Sequence, residues 1–243
     1  MEIAEQPIAP VEHPFIAQEW SRYSDEDHEV WSLLYARRME QLERTASQVF
    51  LDGAKLIGLA PDQVPDLARV NQRLAHLTGW AAVPVKGFLP APQFFACLAE
   101  RRFPTTVTVR PKSALDYVPE PDIFHDVFGH VPLHAHAVFA EALEQLGRVG
   151  SETRTPGEIE RITRLFWFTV EFGLVREAGE IRIYGSGLIS SHGDAANALG
   201  TNCRREPFDL DQVVSQPFEI DRLQPVLFVL ESFEELFEAV RRL

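Results

Sequence analysis

The sequence has few of the features that place a protein in an oxidising or membrane environment. Its two cysteines, Cys97 and Cys203, are too few for a disulfide framework and do not have the CxxC spacing of redox or metal motifs. The first 30 residues contain no apolar run like the core of a signal peptide. Apolar runs such as VLFVL (226–230) are far shorter than the about 20 residues that span a bilayer. These absences favour a reduced, cytoplasmic protein without a membrane partner.

Positive charge is also scarce. The chain has 23 Lys and Arg against 36 Asp and Glu, a formal net charge of −13. Nucleic acids and anionic membrane surfaces both require a basic patch, so neither is expected as the main partner. The 243 residues are 45% hydrophobic, which is typical of a globular chain that can bury a substantial core.

The residue pattern predicts a mainly helical (α+β) protein with a few short strands. Residues 1–23, which are rich in proline, are expected to form an extended arm, and 24–243 a single domain. Capping boxes are expected at Ser24 with Asp27 and at Ser232 with Glu235. Apolar periodicity predicts helices over 24–50, 65–77, 121–128, 133–148, 156–177 and 232–243. Short strands are predicted within 80–90, at 105–109 and at 181–185.

Four histidines lie close together in the stretch HDVFGHVPLHAH (125–136). On a continuous α-helix His125 and His130 would be about 140° apart, too far to share a metal ion. Gly129 can end a helix in the left-handed conformation and Pro132 prevents its continuation, so His130 could turn back beside His125. The two other histidines, His134 and His136, are predicted to be surface residues.

Glu171 is the best candidate for a third ligand. It lies in the apolar stretch RLFWFTVEFGLV (164–175), where an unpaired carboxylate is costly to bury. A salt-bridged core glutamate is the alternative interpretation. Two histidines and one carboxylate form the facial triad of non-haem Fe(II) oxygenases, which leaves coordination positions open for small molecules.

Three motifs carry a specific resemblance: PEPDIFHDVFGHVPL (119–133), FWFTVEFGL (166–174) and YGSGLISSHGD (184–194). They resemble the aromatic amino acid hydroxylases, which use iron and a tetrahydropterin to hydroxylate an aromatic ring with O2. The resemblance is strongest over 75–235, and it is closest to the short bacterial members that hydroxylate phenylalanine at carbon 4. It implies a mainly helical catalytic domain in which His125, His130 and Glu171 hold Fe(II).

The resemblance also implies a pocket for the amino acid. In it Arg110 pairs with the substrate carboxylate, and Asp122 holds the arginine in place. Trp167 and Phe172 form aromatic walls, and Ser190 hydrogen-bonds an iron-binding histidine. A guanidinium suits carboxylate recognition because it can form two parallel hydrogen bonds.

The resemblance further implies a site for tetrahydrobiopterin or a related tetrahydropterin. Phe94 would stack on the pterin, and the backbone around Val85, Gly87 and Leu89 would contact it. Asp126, beside the first histidine, stands where the animal enzymes have glutamate. The chain lacks the tetramerisation helix of the animal enzymes, so a monomer is expected.

Other functions remain open from the sequence. Within the family, the substrate could be tryptophan, or phenylalanine could be hydroxylated at carbon 3. A zinc hydrolase could use the same His/His/Glu group. The pattern YGSGLIS (184–190) is a weak match to a nucleotide-binding glycine fingerprint, because no βαβ unit is predicted around it. A non-catalytic amino-acid sensor is the remaining alternative.

Overall fold

The computed structural model describes residues 14–116 and 118–243. Most of the predicted N-terminal arm, residues 1–13, lies outside the described residues. Of its remainder, Phe15 forms an antiparallel β-bridge to Val85, and Trp20–Arg22 form a 3₁₀ turn. The described part of the arm therefore contacts Val85, one of the residues predicted to meet the pterin.

The described chain is mainly helical, as predicted. The α-helices are α1 Asp25–Thr45, α2 Gln48–Leu56, α3 Leu67–Leu77, α4 Ala91–Ala99, α5 Ala137–Glu152, α6 Pro156–Phe166, α7 Ser186–Ser190, α8 His192–Leu199, α9 Leu210–Ser215 and α10 Phe233–Val240. Two π-helical segments, Phe124–His130 and Trp167–Glu171, and the 3₁₀ segments Lys112–Ala114 and Val131–Ala135 complete the helical elements. No helix in the described ranges combines the length and the apolar character needed to cross a membrane.

The strands form two small sheets. They are β1 Ala81–Pro84, β2 Arg102–Thr105, β3 Leu174–Glu177, β4 Glu180–Ile183, β5 Arg204–Pro207 and β6 Val226–Leu230. β1 and β2 pair in parallel, and the second sheet has the order β4-β3-β6-β5, in which only β3 and β4 are antiparallel. β6 is buried along its whole length, which explains its continuous apolar sequence.

One cluster of buried apolar side chains connects these elements. Phe124 and Phe128 stack with ring centroids 4.5 Å apart, and both contact the ring of Trp31 from α1. The core-facing side of the first π-helical segment is therefore fixed by aromatic packing. Its two histidines lie on the other side, next to a cavity.

The first predicted helix is divided in two. The capping box of Ser24 and Asp27 is present, but α1 ends at Thr45. Ala46 then forms a parallel bridge with Ile183, and Ser47 donates its N–H to the Ile183 carbonyl oxygen at 2.8 Å. Ser47 also caps α2 by accepting from Phe50 N. Pairing with β4, a contact distant in sequence, overrides the continuous helical pattern.

Other predicted boundaries differ for local reasons. The predicted strand at 105–109 occurs at Arg102–Thr105, where β1 is its partner. The helix predicted over 133–148 begins at Ala137, because a 3₁₀ segment precedes it. At α10 the predicted capping box is absent, since Glu235 accepts from the N–H of Glu231 at 2.7 Å. Helix α3 and the strands β1 and β4 lie where the sequence predicted them.

Gly147 allows α4 and α5 to pack with their backbones in contact. A Cβ atom at Gly147 would lie 2.3 Å from the backbone nitrogen of Ala99 and 2.6 Å from the carbonyl carbon of Leu98. We expect Gly147→Ala to lower the free energy of unfolding by about 1–3 kcal/mol, because overpacking forces the two helices apart. Gly157→Ala on α6, where a Cβ would have nothing within 4 Å, is the matched control and should leave stability equal or higher. Urea denaturation of both variants measures the difference, and equal stability would contradict this packing.

Candidate metal centre

The first π-helical segment, Phe124–His130, brings two histidines together. A π-helix has i→i+5 hydrogen bonds and a wider turn than an α-helix, so residues five apart lie on the same face. The expected left-handed break at Gly129 is wrong, since Gly129 is not among the residues with positive φ. Wide winding, and not a chain break, places His130 beside His125.

The second π-helical segment continues α6 and ends at Glu171. The N–H of Phe172 donates to the Trp167 carbonyl oxygen at 2.9 Å, which closes the wide turn. The helix predicted to reach residue 177 therefore stops earlier, and β3 begins at Leu174. His125, His130 and Glu171 therefore all lie on π-helical turns, which occur frequently at functional sites.

His125, His130 and Glu171 converge on one point. His130 Nε2 lies 3.0 Å from Glu171 Oε1, and His125 Nε2 lies 3.6 Å from Glu171 Oε2. One ligand atom from each residue lies within 4.8 Å of the other two, and no other described group of three or more such side chains does so. Two imidazoles and a carboxylate suit Fe(II) and leave coordination positions open.

Glu171 is ionised at neutral pH. Burial alone raises its pKa, but His130 and His125 and a hydrogen bond from Ser186 outweigh burial and lower the pKa to about 2. Among the described residues no lysine or arginine forms an ion pair with it. Its ion-pair partners among the described residues are His130 and His125, so any salt bridge of Glu171 lies within the predicted ligand group itself.

Helix α7 presents two serines to the predicted ligands. Ser186 Oγ donates to Glu171 Oε2 at 2.7 Å, and Ser190 Oγ lies 2.9 Å from His125 Nδ1. Ser190 Oγ also donates its one proton to the Ser186 carbonyl oxygen at 2.8 Å, so it accepts from His125 Nδ1–H. This tautomer leaves the lone pair of His125 Nε2 free for a metal. Ser186 was not predicted, although it lies four residues before Ser190, on the same face of a helix.

Arg110 and Asp122 form a buried, two-pronged ion pair. Arg110 Nε and Nη2 donate to the two carboxylate oxygens of Asp122, each at 2.8 Å. Asp122 Oδ1 also accepts from the backbone N–H of His125 at 3.1 Å. Asp122 therefore connects the arginine to the start of the first π-helical segment.

A cavity of about 340 Å³ opens on the predicted metal-binding group of His125, His130 and Glu171. Its lining includes His125, His130 and Glu171 and every residue predicted to bind the pterin: Val85, Gly87, Leu89, Phe94 and Asp126. The predicted amino-acid residues Arg110, Asp122, Trp167, Phe172 and Ser190 do not line this cavity. The residues predicted to bind the pterin therefore line this cavity, and those predicted to bind the amino acid lie outside it.

Two of the residues predicted to bind the pterin, Phe94 and Asp126, have different surroundings in the cavity wall. Phe94 meets Phe166 edge to face, with ring centroids 5.2 Å apart. Asp126 is buried, which raises its pKa, and its Oδ2 accepts from the N–H and the hydroxyl of Thr106, both at 2.6 Å. An aromatic wall and an acceptor group are therefore available on the same side of the cavity.

The aromatic residues predicted for the amino-acid side form a cluster. The rings of Trp167 and Phe172 have centroids 4.8 Å apart, and Phe218 stacks on Trp167 at 4.4 Å. Phe218 was not predicted, because it comes from the segment between α9 and β6, which has no recognisable motif.

The prediction that His134 is a surface residue is wrong. It is 1% exposed, and its ring lies 4.7 Å from that of Trp80. Burial lowers its pKa to about 3, and its Nδ1 lies 3.0 Å from the His130 carbonyl oxygen. His136 is half-buried and caps α5 by accepting from Phe139 N. Neither joins the predicted metal-binding group.

The glycine pattern in YGSGLIS has a packing role. A Cβ at Gly185, the residue just before α7, would lie 2.4 Å from the Glu171 carbonyl oxygen, so the start of α7 contacts the second π-helical segment through its backbone. β3 and β4 before it are antiparallel. The described chain has no βαβ unit here, as a dinucleotide fingerprint would require.

A largely buried His/His/carboxylate group at an apolar cavity of a mainly helical fold is typical of a non-haem metal-dependent oxygenase. The model of the biopterin-dependent aromatic amino acid hydroxylases matches residues 18–243. The chain belongs to this family, as its motifs predicted, and it is therefore an enzyme of the biopterin-dependent class.

Individual relatives of known sequence or structure support the same family assignment. The chain is 41% identical to a phenylalanine-4-hydroxylase of Chromobacterium violaceum, over 92% of this chain and 76% of the relative. It is 42% identical to the phenylalanine-4-hydroxylase of Mesorhizobium japonicum, over 92% of this chain and 82% of the relative. The C. violaceum crystal structure with bound oxidised Fe(III) superposes with a TM-score of 0.91 at 40% identity, covering 94% of this chain and 83% of that one. A C. violaceum structure with bound Fe(III) and 7,8-dihydrobiopterin also superposes with a TM-score of 0.91. The predicted fold class is confirmed.

Proposed function

We propose that the protein hydroxylates free L-phenylalanine at carbon 4 to give L-tyrosine, with Fe(II), a tetrahydropterin and O2. The observation that carries the proposal is the convergence of His125, His130 and Glu171 at a cavity lined by the whole predicted pterin set. The phenylalanine-4-hydroxylases among the relatives support the choice of substrate.

His125, His130 and Glu171 would hold the iron. Bound Fe(II) and the tetrahydropterin together supply the activation of O2 that ring hydroxylation needs. Glu171 would contribute a negative charge to the metal, and each imidazole would contribute a nitrogen lone pair. Ser186 and Ser190 hydrogen-bond the carboxylate and one imidazole, and would thereby hold both ligands in the orientation in which they bind the metal.

Arg110 would bind the carboxylate of the amino acid. Nε and one N–H of Nη2 are occupied by Asp122, and Nη1 donates to the Leu115 carbonyl oxygen at 3.2 Å. One N–H remains on each of Nη1 and Nη2, which is the pair that a carboxylate accepts. Trp167 and Phe172 would contact the aromatic ring and exclude water from it.

Phe94 would stack on the pterin. We expect Phe94→Ala to raise the KM for tetrahydropterin about five- to tenfold, as losing about 1–1.5 kcal/mol of aromatic stacking would. The KM for phenylalanine should change less. Steady-state kinetics with each substrate varied in turn measure both constants, with Phe237→Ala on α10, outside the cavity lining, as the control. An unchanged pterin KM would remove Phe94 from the site.

Product identification tests the function directly. The protein loaded with Fe(II) is incubated with tetrahydropterin, O2 and phenylalanine, tryptophan or tyrosine in turn. L-Tyrosine from phenylalanine should be the main product, at a stoichiometry near one per pterin oxidised. Formation of meta-tyrosine or hydroxytryptophan instead would favour the other specificities of the family. Ester or amide hydrolysis by the zinc-loaded protein, without hydroxylation by the iron-loaded one, would favour the hydrolase.

We also propose that residues 24–243 act as one catalytic domain in a cytoplasmic monomer. The net charge of −13 and the two buried, free cysteines support this proposal. Light scattering coupled to size exclusion should give the mass of one chain. A mass of two or more chains at micromolar concentration would contradict the monomer.

A further inference from the structure

Arg38 is a buried cation on α1. It is 3% exposed, and its Nε donates to the Ile189 carbonyl oxygen at 2.7 Å. Its Nη2 donates to the Leu188 carbonyl oxygen at 2.9 Å, and its Nη1 to Gln41 Oε1 at 2.8 Å. Within the described ranges no carboxylate forms an ion pair with it.

Burying a guanidinium without a carboxylate is costly. Burial lowers the pKa of Arg38 only to about 10, so the group stays charged at neutral pH. Its charge lies against carbonyl oxygens at the C-terminal end of α7, which lack intrahelical partners and carry partial negative charge. Arg38 therefore satisfies groups that would otherwise be buried without donors.

Helix α7 has only five residues, and two of them contact predicted metal ligands. Ser186 donates to Glu171, and Ser190 accepts from His125. Because so short a helix has little stability of its own, its tertiary contacts set where both hydroxyls lie.

The fit of α7 against the ligand segments is close on both sides. A Cβ at Gly129 would lie 3.0 Å from the Ser186 carbonyl oxygen, and one at Gly187 would lie 3.1 Å from the Glu171 carbonyl oxygen. A shift of α7 by a fraction of an ångström would therefore be transmitted to both π-helical segments.

We propose that Arg38 is a positioning residue for the metal centre. By holding the carbonyl groups of Leu188 and Ile189, it keeps α7 at the position where Ser186 and Ser190 orient Glu171 and His125. The inference rests on the proposed metal site.

The test measures metal binding, without turnover. We expect Arg38→Gln to weaken binding of Fe(II) and of Co(II) about tenfold, the loss typical for removing an outer partner of a ligand. The visible absorption spectrum of the Co(II) protein should also change, because the angles between the ligands change. Arg38→Lys should lie between wild type and Arg38→Gln, since an ammonium cannot reproduce the guanidinium fork.

Arg205 provides a matched control. Its Nη1 donates to the carbonyl oxygens of Ala198 at 2.9 Å and Gly200 at 2.7 Å, at the end of α8. No side chain of α8 forms a hydrogen bond with a predicted ligand among the described residues. Arg205→Gln should leave the Co(II) dissociation constant and spectrum unchanged, even if it lowers the melting temperature.

A double-mutant cycle tests the route of the effect. If Arg38 acts through the two serines, Arg38→Gln should weaken Co(II) binding much less in a Ser186→Ala/Ser190→Ala background. A full tenfold loss in that background would overturn the proposal. The proposal would also be overturned if Arg38→Gln bound Co(II) with wild-type affinity and an unchanged spectrum. If Arg38→Gln does not fold, the same result in Arg38→Lys would overturn it.

The wild type and His125→Ala separate this inference from the proposed site. Co(II) binding that is equally tight in both would refute the metal site itself. Binding that is lost in His125→Ala but unchanged in the Arg38 variants would refute the role of Arg38 alone.

Discussion

Glu171→Ala should remove both bound iron and hydroxylation. The variant loses the only carboxylate of the predicted metal-binding group and leaves two imidazoles, which without a charged ligand would hold Fe(II) weakly. His125→Ala and His130→Ala should have the same effect, because each leaves two ligands out of three. Metal analysis after gel filtration and the rate of tyrosine formation measure the two losses, and we expect less than about one hundredth of wild-type turnover, as when a mutation removes a group that works as a unit with others.

His76→Ala is the control for these variants. His76 is exposed on α3 and contributes no ligand atom to the group. Iron content and turnover should equal those of the wild type. His134→Ala is unsuitable as a control, because the buried ring packs on Trp80 and its loss would leave a cavity. Full iron content in His125→Ala would show that the metal is held elsewhere.

Arg110→Ala should greatly reduce kcat/KM for phenylalanine. Losing a buried, charge-assisted contact to the substrate carboxylate costs about 2–4 kcal/mol of transition-state binding, or roughly 30- to 1,000-fold in rate. Arg110→Lys should recover only part, because an ammonium can hold neither Asp122 nor the substrate in two-pronged geometry. Steady-state kinetics with phenylalanine measure the loss.

Two controls separate substrate recognition from damage to the site. Asp122 also accepts from His125 N, so iron content must be measured, and we expect it to be normal in both Arg110 variants. Phenethylamine, which lacks the carboxylate, should be hydroxylated about equally slowly by the wild type and Arg110→Ala. If Arg110→Ala used phenylalanine as well as the wild type does, another residue would have to bind the carboxylate.

The sequence predicted the helical class and several element positions, because periodicity and caps are local signals. The box of Ser24 and Asp27 starts α1, and Gly79 follows α3 with φ +77°. The break at Ala46 depends on Ile183, a residue far away in sequence. No local pattern contains that partner, so the division of the first helix could not be predicted.

The predicted ligand group was found from residue chemistry and from motifs, but its geometry was not. An α-helical repeat assigns His125 and His130 to different faces, and only the π-helical winding reverses this. Ser186, Phe218 and Arg38 were missed for another reason. Ser186 lies within a recognised motif, but its role is a contact with Glu171 that only the folded chain shows. Arg38 and Phe218 act through contacts with α7 and with Trp167, and the sequence around each is that of an ordinary helix or connecting segment.

The first π-helical segment can be viewed as an α-helical turn holding one additional residue. Deleting one residue between the two histidines would restore α-helical winding and still leave them on one face, four apart. The chain after the turn would keep its direction, because four α-helical residues cover about the same angle and rise as five π-helical ones. The deletion would instead remove one of the residues between the histidines, of which Asp126 lines the cavity, Phe128 stacks on Phe124 and Gly129 leaves room for Ser186. The additional residue is therefore kept by what these positions contact, and homologues that tolerate insertions and deletions elsewhere should keep the His125–His130 spacing at five.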